Sequence, residues 1–392
     1  MRVPFSYLER QFKQSENPEG KKELTDTIID DIRDFLKTSE FTLGSKVEAF
    51  EKKFAAFIGV KHAIGVGSGT DALILSLRAL DIGPGDEVIT CAETFIATAG
   101  AIAGVGATPV FVDVNDEFTI DVDLIEGAIT ERTKAIMPVF FTGSCPNMDA
   151  VLEIANKHKL HVVEDSCCGI DARIKDKKAG SMGTTGTFSF HPLKNLNVWS
   201  DGGMVTTNSD EVAHKLKLLR NHGLASRDEV ECFGYNSRLD ALQAVVALRM
   251  IDDVTEVTNQ RIANAQRLDE AFKDLSDFIE IPYRNPDYRN VFHLYMLRVK
   301  NRDKLLAYCH QHEIEAKIHY PIELPYQNCC KHLGYKKGDF PRAERDRDSI
   351  ITLPCHQCLT DAEINHMIET IRSFYKDEHS ALCGLSSTAS NH

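Results

Sequence analysis

The sequence predicts an α/β protein whose mainly parallel sheet is covered by helices on both faces. Short apolar runs alternate with helical stretches through most of the first 250 residues. The run "HAIGVG" (62–67) predicts a strand, and "TDALILSLRAL" (70–80) has its apolar residues at helical spacing, as does "MDAVLEIANKH" (148–158). The further strand candidates are "EVIT" (87–90), "TPVFVDV" (108–114), "TKAIMPVFF" (133–141), "LHVVEDS" (160–166), "GTFSF" (186–190) and "GMVTT" (203–207).

A change of pattern near residue 250 predicts a second, smaller domain. From about residue 237 the chain reads as two long helices, followed by an α+β portion with "VFHLYMLRV" (291–299) as a strand. We therefore expect a large domain over residues 1–250 and a small C-terminal domain over 251–375. Residues 376–392 are small and polar, which predicts a disordered tail.

The composition excludes several classes of function. A net charge of −13 argues against general binding of nucleic acid or anionic membrane, since both attract a cationic surface. The chain has no apolar run close to the roughly 20 residues of a membrane span, and its first residues lack the apolar stretch of a signal peptide. Eleven scattered cysteines indicate reduced thiols, so we expect a cytoplasmic protein.

A glycine-rich turn, "GVGSGTDAL" (65–73), joins the first predicted strand to its helix. It is not the dinucleotide fingerprint, because Thr70 stands where that motif needs a third glycine. Free amides at a helix N-terminus, together with the Thr70 hydroxyl, are suited to bind a phosphate. The alternative is a tight turn in which Ser68 or Thr70 caps the helix.

Two further residues stand out at strand ends. Asp165 arrives in "VVEDS" (162–166) where the strand should stop, and a cap or turn role is its alternative explanation. Lys194 lies in "SFHPLKNLNVWSDGG" (189–203), directly behind a predicted core strand and in a segment without another charge before Asp201. A lysine is costly to bury, and its alternative explanation is an ammonium that reaches water past Pro192.

Taken together, a phosphate site, a strand-end carboxylate and an apolar-loop lysine are the parts needed to bind pyridoxal phosphate. The lysine forms a Schiff base with the cofactor aldehyde, which requires a neutral amine, so we expect burial to lower the pKa of Lys194. Asp165 would face the pyridine nitrogen and keep it protonated, so that the ring withdraws electrons.

Several separated motifs resemble the DegT/DnrJ/EryC1/StrS family of sugar aminotransferases. They are "FTLGSKVEAFEKKFAAFIGVKHAIGVGSGTDALILSLRALDIGPGDEVIT" (41–90), "FGYNSRLDALQA" (233–244) and "GDFPRAERDRDSIITLP" (338–354), and the similarity runs from about Val3 to Tyr375. The resemblance implies the type I fold of pyridoxal-phosphate-dependent transferases, with a sheet of the seven-stranded kind. It also implies transfer of an amino group from an amino acid, such as glutamate, to a keto-sugar that is commonly nucleotide-linked, in amino-sugar biosynthesis.

The family assigns roles to matching residues in this sequence. Lys194 would carry the cofactor and move the proton, and Asp165 would pair with the pyridine nitrogen. Gly69 and Thr70 would bind the phosphate through backbone and hydroxyl groups, with the side chain of Ser189 added.

Other matching residues would complete the site. Phe95 would stack on the cofactor ring, its alternative being a core aromatic. Asn236 would reach the phosphate from the neighbouring subunit of a homodimer, its alternative being a helix cap. His319 and Tyr320, in "KIHYP" (317–321), would contact the sugar or nucleotide.

Two features depart from or compete with this interpretation. Cys168 stands where the family usually has Gln or His near the phenolic oxygen of the cofactor, and a thiol is a poorer hydrogen-bond donor. The "CHQC" pair, Cys355 and Cys358, is too small a ligand set for zinc, which usually takes four, so we expect no metal site.

Two alternative functions remain. Sugar 3-dehydratases of the same family use pyridoxamine phosphate and carry His at the lysine position, so Lys194 argues against that activity. A non-catalytic binding or regulatory protein could retain the fold, but it would not need Lys194, Asp165 and Ser189 together.

Overall fold

The computed structural model describes residues 1–11 and 24–388, with residues 377–388 given by backbone alone. Its helices are α1 Leu8–Gln11, α2 Leu24–Leu36, α3 Ser45–Ile58, α4 Gly69–Ala79, α5 Ile96–Gly104, α6 Met148–His158, α7 Asp210–Leu219, α8 Ala241–Met250, α9 Val254–Phe272, α10 Arg302–Gln311, α11 Pro341–Ser349 and α12 Asp361–Thr388. Its strands are β1 His62–Val66, β2 Glu87–Cys91, β3 Thr108–Val112, β4 Thr133–Met137, β5 His161–Asp165, β6 Arg173–Ile174, β7 Lys177–Lys178, β8 Thr185–Ser189, β9 Gly203–Thr207, β10 Ile279–Glu280, β11 Tyr288–Arg289, β12 Tyr295–Val299 and β13 Ile350–Leu353.

Seven strands form the central sheet, in the order β1-β9-β8-β5-β4-β2-β3. The strands from β8 to β3 run parallel to their neighbours, and β9 runs antiparallel to both β8 and β1. Every residue of β2 and β9 is buried, as expected for strands covered on both faces. The predicted mainly parallel sheet is confirmed, and each of its strands overlaps one of the predicted apolar runs.

The end of β4 shows how a local feature sets a strand boundary. The apolar run extends to residue 141, but the strand ends at Met137 because Pro138 has no amide to donate. The carbonyl of Pro138 still accepts a bond from the amide of Asp165, at 3.0 Å. This contact ties the end of β5 to the chain that follows β4.

The C-terminal portion is built on a second sheet, of three antiparallel strands in the order β10-β12-β13. Helices α9, α10 and α12 bury their apolar faces in the same cluster. The first residues of the chain join this portion, because the Val3 amide donates to the Glu313 carbonyl at 2.9 Å. Helix α9 begins with Val254 in a cluster of the large domain and ends with Phe272 in the C-terminal cluster. The domain boundary at residue 250 stays a prediction.

The last helix, α12, continues through Thr388. Residues 389–392 lie outside the described residues, and the disordered tail over residues 376–392 stays a prediction. None of the helices in the described chain combines the length and the apolar character needed to cross a membrane.

The carboxyl ends of the central strands bring the candidate residues to one edge of the sheet. Helix α4 follows β1 after the glycine-rich turn, and Asp165 is the last residue of β5. The segment that contains Lys194 follows the last residue of β8, Ser189. In open α/β sheets this edge is where ligands bind.

A buried ion pair supports the packing of the C-terminal portion. The guanidinium of Arg298 donates to both carboxylate oxygens of Asp346, and the two residues are 3% and 0% exposed. We predict that Asp346→Ala lowers the free energy of unfolding by about 3–5 kcal/mol, because the buried guanidinium of Arg298 then keeps only one ion-pair partner, the half-exposed Glu280. Urea unfolding followed by circular dichroism measures this change.

Asp348→Ala is the matched control, because Asp348 pairs with Arg347 at the surface, with 68% of its side chain exposed. It should cost about 1 kcal/mol or less. Equal losses in the two variants would contradict the role of the buried pair.

Candidate active site

The turn between β1 and α4 caps its helix through Ser68 and places Gly69 and Thr70 at the wall of a cavity. The Ser68 hydroxyl caps the helix by accepting a hydrogen bond from the Asp71 amide at 3.0 Å. The next amide along the chain, that of Ala72, donates to the Ser68 carbonyl. The amides of Gly69 and Thr70 come before these bonds, at the positive end of the helix, and both residues line a cavity.

Neighbouring segments approach this turn so closely that two positions require glycine. A Cβ at Gly69 would lie 2.6 Å from the Ser189 Cβ and 3.0 Å from the Cys167 Sγ. A Cβ at Gly203 would lie 2.2 Å from the Ser68 carbonyl oxygen. The absence of these side chains brings the Ser189 hydroxyl beside the helix N-terminus and leaves a cradle that suits a phosphate.

Asp165 is held rigidly at the end of β5. It is 4% exposed, and its Oδ2 accepts a hydrogen bond from the Thr98 hydroxyl at 2.8 Å. Thr98 in turn lies 2.8 Å from the Thr94 hydroxyl. The other oxygen, Oδ1, accepts a hydrogen bond from the Cys167 amide at 3.3 Å. This is a turn contact, the alternative role that the sequence suggested for Asp165. Asp165 therefore has a turn contact and also faces the cavity.

The amine of Lys194 lies inside the cavity. Its Nζ is 2.9 Å from the Cys168 Sγ and 3.5 Å from the His293 Nε2. The alternative, in which the side chain reaches water past Pro192, does not match these contacts. Lys194 thus stands beside the residue, Cys168, that departs from the usual family pattern.

The electrostatics of Lys194 differ from expectation. Burial lowers the pKa of its ammonium, but the sulfurs of Cys168 and Cys167 and the Asp165 carboxylate together raise it by more. The pKa of Lys194 is therefore raised above its ordinary value, and the predicted lowering is wrong for the chain without a cofactor. Burial, with help from the Lys194 charge, holds the pKa of His293 well below its usual range, so this imidazole is neutral.

Hydrogen bonds fix the backbone on both sides of the lysine. The Tyr7 hydroxyl donates to the Lys194 carbonyl at 2.8 Å, and the Asn197 side chain donates to the Tyr7 oxygen at 3.0 Å. The Asn195 side chain donates to the Val291 carbonyl at 3.0 Å. The N-terminal segment and the residues that precede β12 therefore hold the loop in place.

One cavity of about 460 Å³ gathers nearly all the predicted site residues. This volume is typical of small-molecule sites. Asn236 is the one predicted residue outside its wall. The predicted residues that line it are Gly69, Thr70, Phe95, Asp165, Cys168, Ser189, Lys194, His319 and Tyr320.

The aromatic and histidine candidates lie at the cavity wall. Phe95 is 53% exposed and precedes α5, so its alternative as a core aromatic is wrong. Its ring centre lies 6.2 Å from that of Tyr320. The His319 Nδ1 lies 2.9 Å from the Thr352 hydroxyl, and burial, helped by the charges of Lys317 and Lys194, lowers the pKa of His319 to about 4.

Asn236 is exposed and does not cap a helix. Helix α8 begins at Ala241, and its cap is Asp240, whose carboxylate accepts from the Leu242 amide at 2.8 Å. The helix-cap alternative for Asn236 is therefore wrong. Exposed apolar side chains lie close to it in the sequence, among them Val230, at 60% exposed, and Phe233, which is fully exposed.

Five residues of the cavity wall were not identified as site candidates from the sequence. All line the cavity, and they are Tyr7, Thr98, Arg261, His293 and His356. His293 lies in a run that reads only as a strand, and His356 lies in "CHQC", which we considered only for zinc. Cys355 of that motif donates to the Arg261 carbonyl, and no group of three metal-binding side chains occurs among the residues that the structure describes.

Comparison with known proteins places this chain in a family. The model of the DegT/DnrJ/EryC1/StrS aminotransferase family matches residues 22–372. A "Pleiotropic regulatory protein" of Geobacillus stearothermophilus is 38% identical over 96% of this chain and 99% of its own. A UDP-N-acetyl-3-dehydro-alpha-D-glucosamine 3-aminotransferase of Acidithiobacillus ferrooxidans is 40% identical over 89% of this chain and 94% of its own.

Solved structures agree with this family. The structure of DesV from S. venezuelae has a TM-score of 0.90 and 36% identity, and the match covers 95% of this chain and 98% of that one. The PLP form of the sugar aminotransferase Spr1654 from Streptococcus pneumoniae has a TM-score of 0.85 and 27% identity, over 96% of this chain and 99% of that one. The predicted type I fold is confirmed.

The residues present fit pyridoxal phosphate, the predicted cofactor. One cavity holds a lysine amine, a buried carboxylate and a glycine cradle at a helix N-terminus. Groups of these three kinds are suited to bind its aldehyde carbon, its ring nitrogen and its phosphate. The cofactor is pyridoxal phosphate, and the chain belongs to the DegT/DnrJ/EryC1/StrS aminotransferase family.

Proposed function

We propose that this enzyme transfers an amino group from an amino acid, glutamate, to a nucleotide-linked keto-sugar in amino-sugar biosynthesis. The observation that carries the proposal is the position of the Lys194 amine in one cavity with Asp165 and the Gly69 turn. The name of the Acidithiobacillus relative supports a nucleotide-linked sugar substrate.

The chain's own residues have separate tasks in this reaction. Bound pyridoxal phosphate supplies a conjugated ring that accepts electrons from the carbon next to the transferred nitrogen. Lys194 holds the cofactor. Once its amine is released, it takes the proton from the substrate carbon that bears the amino group and delivers it to the former aldehyde carbon of the cofactor. Asp165, oriented by Thr98, stabilises a proton on the ring nitrogen.

Other residues bind and orient. Gly69, Thr70 and Ser189 would hold the phosphate at the N-terminus of α4, and Phe95 would stack on the ring. The Cys168 sulfur, which the family places near the phenolic oxygen, contacts the Lys194 amine. His319 and Tyr320 contact the sugar or its nucleotide.

The working unit in this proposal is a homodimer with shared sites. Asn236 is exposed and lies outside the cavity of its own chain. Nearby exposed apolar residues, Phe233 above all, provide a surface that a second copy would cover. Asn236 would then reach the phosphate of the partner. The described cysteines are free, which supports work in the reducing cytoplasm.

Two half-reactions test the proposed function. The purified enzyme should be yellow with pyridoxal phosphate, lose that colour with glutamate, and regain it with a nucleotide-linked keto-sugar from a panel. Colour that survives every amino acid would favour a regulatory protein, which the name of the Geobacillus relative makes a specific alternative. Loss of an oxygen from the sugar would instead indicate a dehydratase.

We predict that Asp165→Asn keeps the cofactor bound but slows the half-reaction with glutamate by about a thousandfold, equivalent to about 4 kcal/mol. The amide carries no negative charge to stabilise the ring proton. Stopped-flow absorbance measures the rate. Asp201→Asn is the control, because Asp201 lines the same cavity but is exposed, so its rate should stay near normal. A near-normal rate in Asp165→Asn would show that another group does this work.

A mixing experiment tests the shared site. Lys194→Ala damages the site of its own chain, whereas Asn236→Glu should repel the phosphate in the partner's site. In a mixed dimer both defects fall in one site and the other is intact. Co-refolding equal amounts of these inactive variants should therefore restore about a quarter of the wild-type activity, from one good site in half of the dimers.

The control mixes Lys194→Ala with Asp165→Asn, which should stay inactive because each chain then damages its own site. An inactive Lys194→Ala and Asn236→Glu mixture, with mixed dimers confirmed by native mass spectrometry, would show that Asn236 serves its own subunit.

A further inference from the structure

Arg261 is a buried cation with no counter-charge among the described side chains. It lies on α9, is 3% exposed and lines the cavity. Its Nε donates to the Gln357 side-chain oxygen at 3.0 Å, and its Nη1 donates to the Phe292 carbonyl at 3.3 Å. Both acceptors are neutral. Its Nη2 has no hydrogen-bond partner, and no carboxylate forms an ion pair with it, among the residues that the structure describes.

The two other arginines buried to a similar degree are paired. Arg298, also 3% exposed, binds Asp346, and Arg220, 7% exposed, binds Glu51. An unpaired buried charge is costly, and a guanidinium is shaped to bind a carboxylate with two parallel hydrogen bonds. Because Arg261 lines the cavity, an anion bound there can supply the missing counter-charge.

Arg261 and the Lys194 amine line the same cavity and share neighbours. Its guanidinium carbon is 5.1 Å from the centre of the Tyr7 ring, and the Tyr7 hydroxyl binds the Lys194 carbonyl. The residue after its acceptor Phe292 is His293, whose Nε2 is 3.5 Å from the Lys194 Nζ. His356, whose Nδ1 also has no partner in the described chain, packs on Tyr7 with ring centres 5.5 Å apart.

We propose that Arg261 binds the α-carboxylate of the amino acid donor. This inference rests on the proposed function. An α-carboxylate is one bond from the carbon that carries the amino group, so its anchor must lie in the cavity that holds the Lys194 amine, as Arg261 does. A single guanidinium also balances a single negative charge. The diphosphate of a nucleotide-linked sugar carries more charge and lies further from the reacting ketone.

Arg261→Lys in the holoenzyme tests the proposal. It keeps the charge but loses the two-pronged geometry. The dissociation constant for glutamate in the half-reaction should rise about 10- to 100-fold, the worth of one charged hydrogen bond, with the rate at saturation changed much less. The keto-sugar half-reaction should keep its affinity, because that substrate has no carboxylate. Calorimetric binding of succinate, which cannot react, should weaken in parallel.

Arg284→Lys is the matched control. Arg284 pairs with Asp269 and packs on the rings of Phe292 and Tyr295, but it does not line the cavity. It should leave both affinities unchanged. A measurement on the wild-type enzyme tests the same contact without a mutation, in case the Arg261 variant misfolds. The α-amide of glutamate, which lacks the α-carboxylate, should bind 10- to 100-fold more weakly than glutamate.

Three outcomes would overturn the inference. They are equal wild-type binding of glutamate and its α-amide, unchanged glutamate affinity in a folded Arg261→Lys enzyme, and selective loss of keto-sugar affinity in that variant. The last would assign Arg261 to the diphosphate instead. Failure of the proposed function is distinct, because the wild-type enzyme would then react with no amino acid at all.

Discussion

The attachment of the Lys194 loop is the constraint on which the rest of the site depends. A lysine ammonium favours water, so an amine stays in a cavity only if its backbone cannot turn it outward. Tyr7 fixes the carbonyl of Lys194, and the next residue, Asn195, is bound to Val291. These partners come from the first and the last thirds of the chain. The site therefore exists only when the N-terminal segment and the C-terminal portion pack on the central sheet.

The charges around the Lys194 amine explain why its pKa is raised, although burial alone would lower it. Desolvation acts against the ammonium, but Cys168, Cys167 and Asp165 all lie close enough to favour it. Burial also raises the pKa of the Cys168 thiol. The neighbouring imidazole of His293 is neutral and adds no second positive charge. The cavity thus holds two cations, the partly buried Lys194 and the buried Arg261, and the ligands we propose for it are anions.

Much of the fold could be predicted because its signals are local. Apolar runs and helical periodicity identified the seven strands of the sheet, and the bounds of α6 match the predicted run. The sequence also indicated Asp165, Lys194 and the Gly69 turn, since each breaks a local pattern at a strand end. What local patterns could not show is which distant residues meet there. Tyr7, Arg261 and His293 carry no local signal, and tertiary packing alone brings them to the lysine.

The central claim is that Lys194, among all the lysines of the chain, carries the cofactor. Borohydride reduction of the holoenzyme makes that bond permanent, and mass spectrometry of the digested protein locates it. The account predicts one modified peptide per chain, with the cofactor mass on Lys194. A cofactor mass on any other lysine, or no modified peptide from a yellow protein, would contradict it.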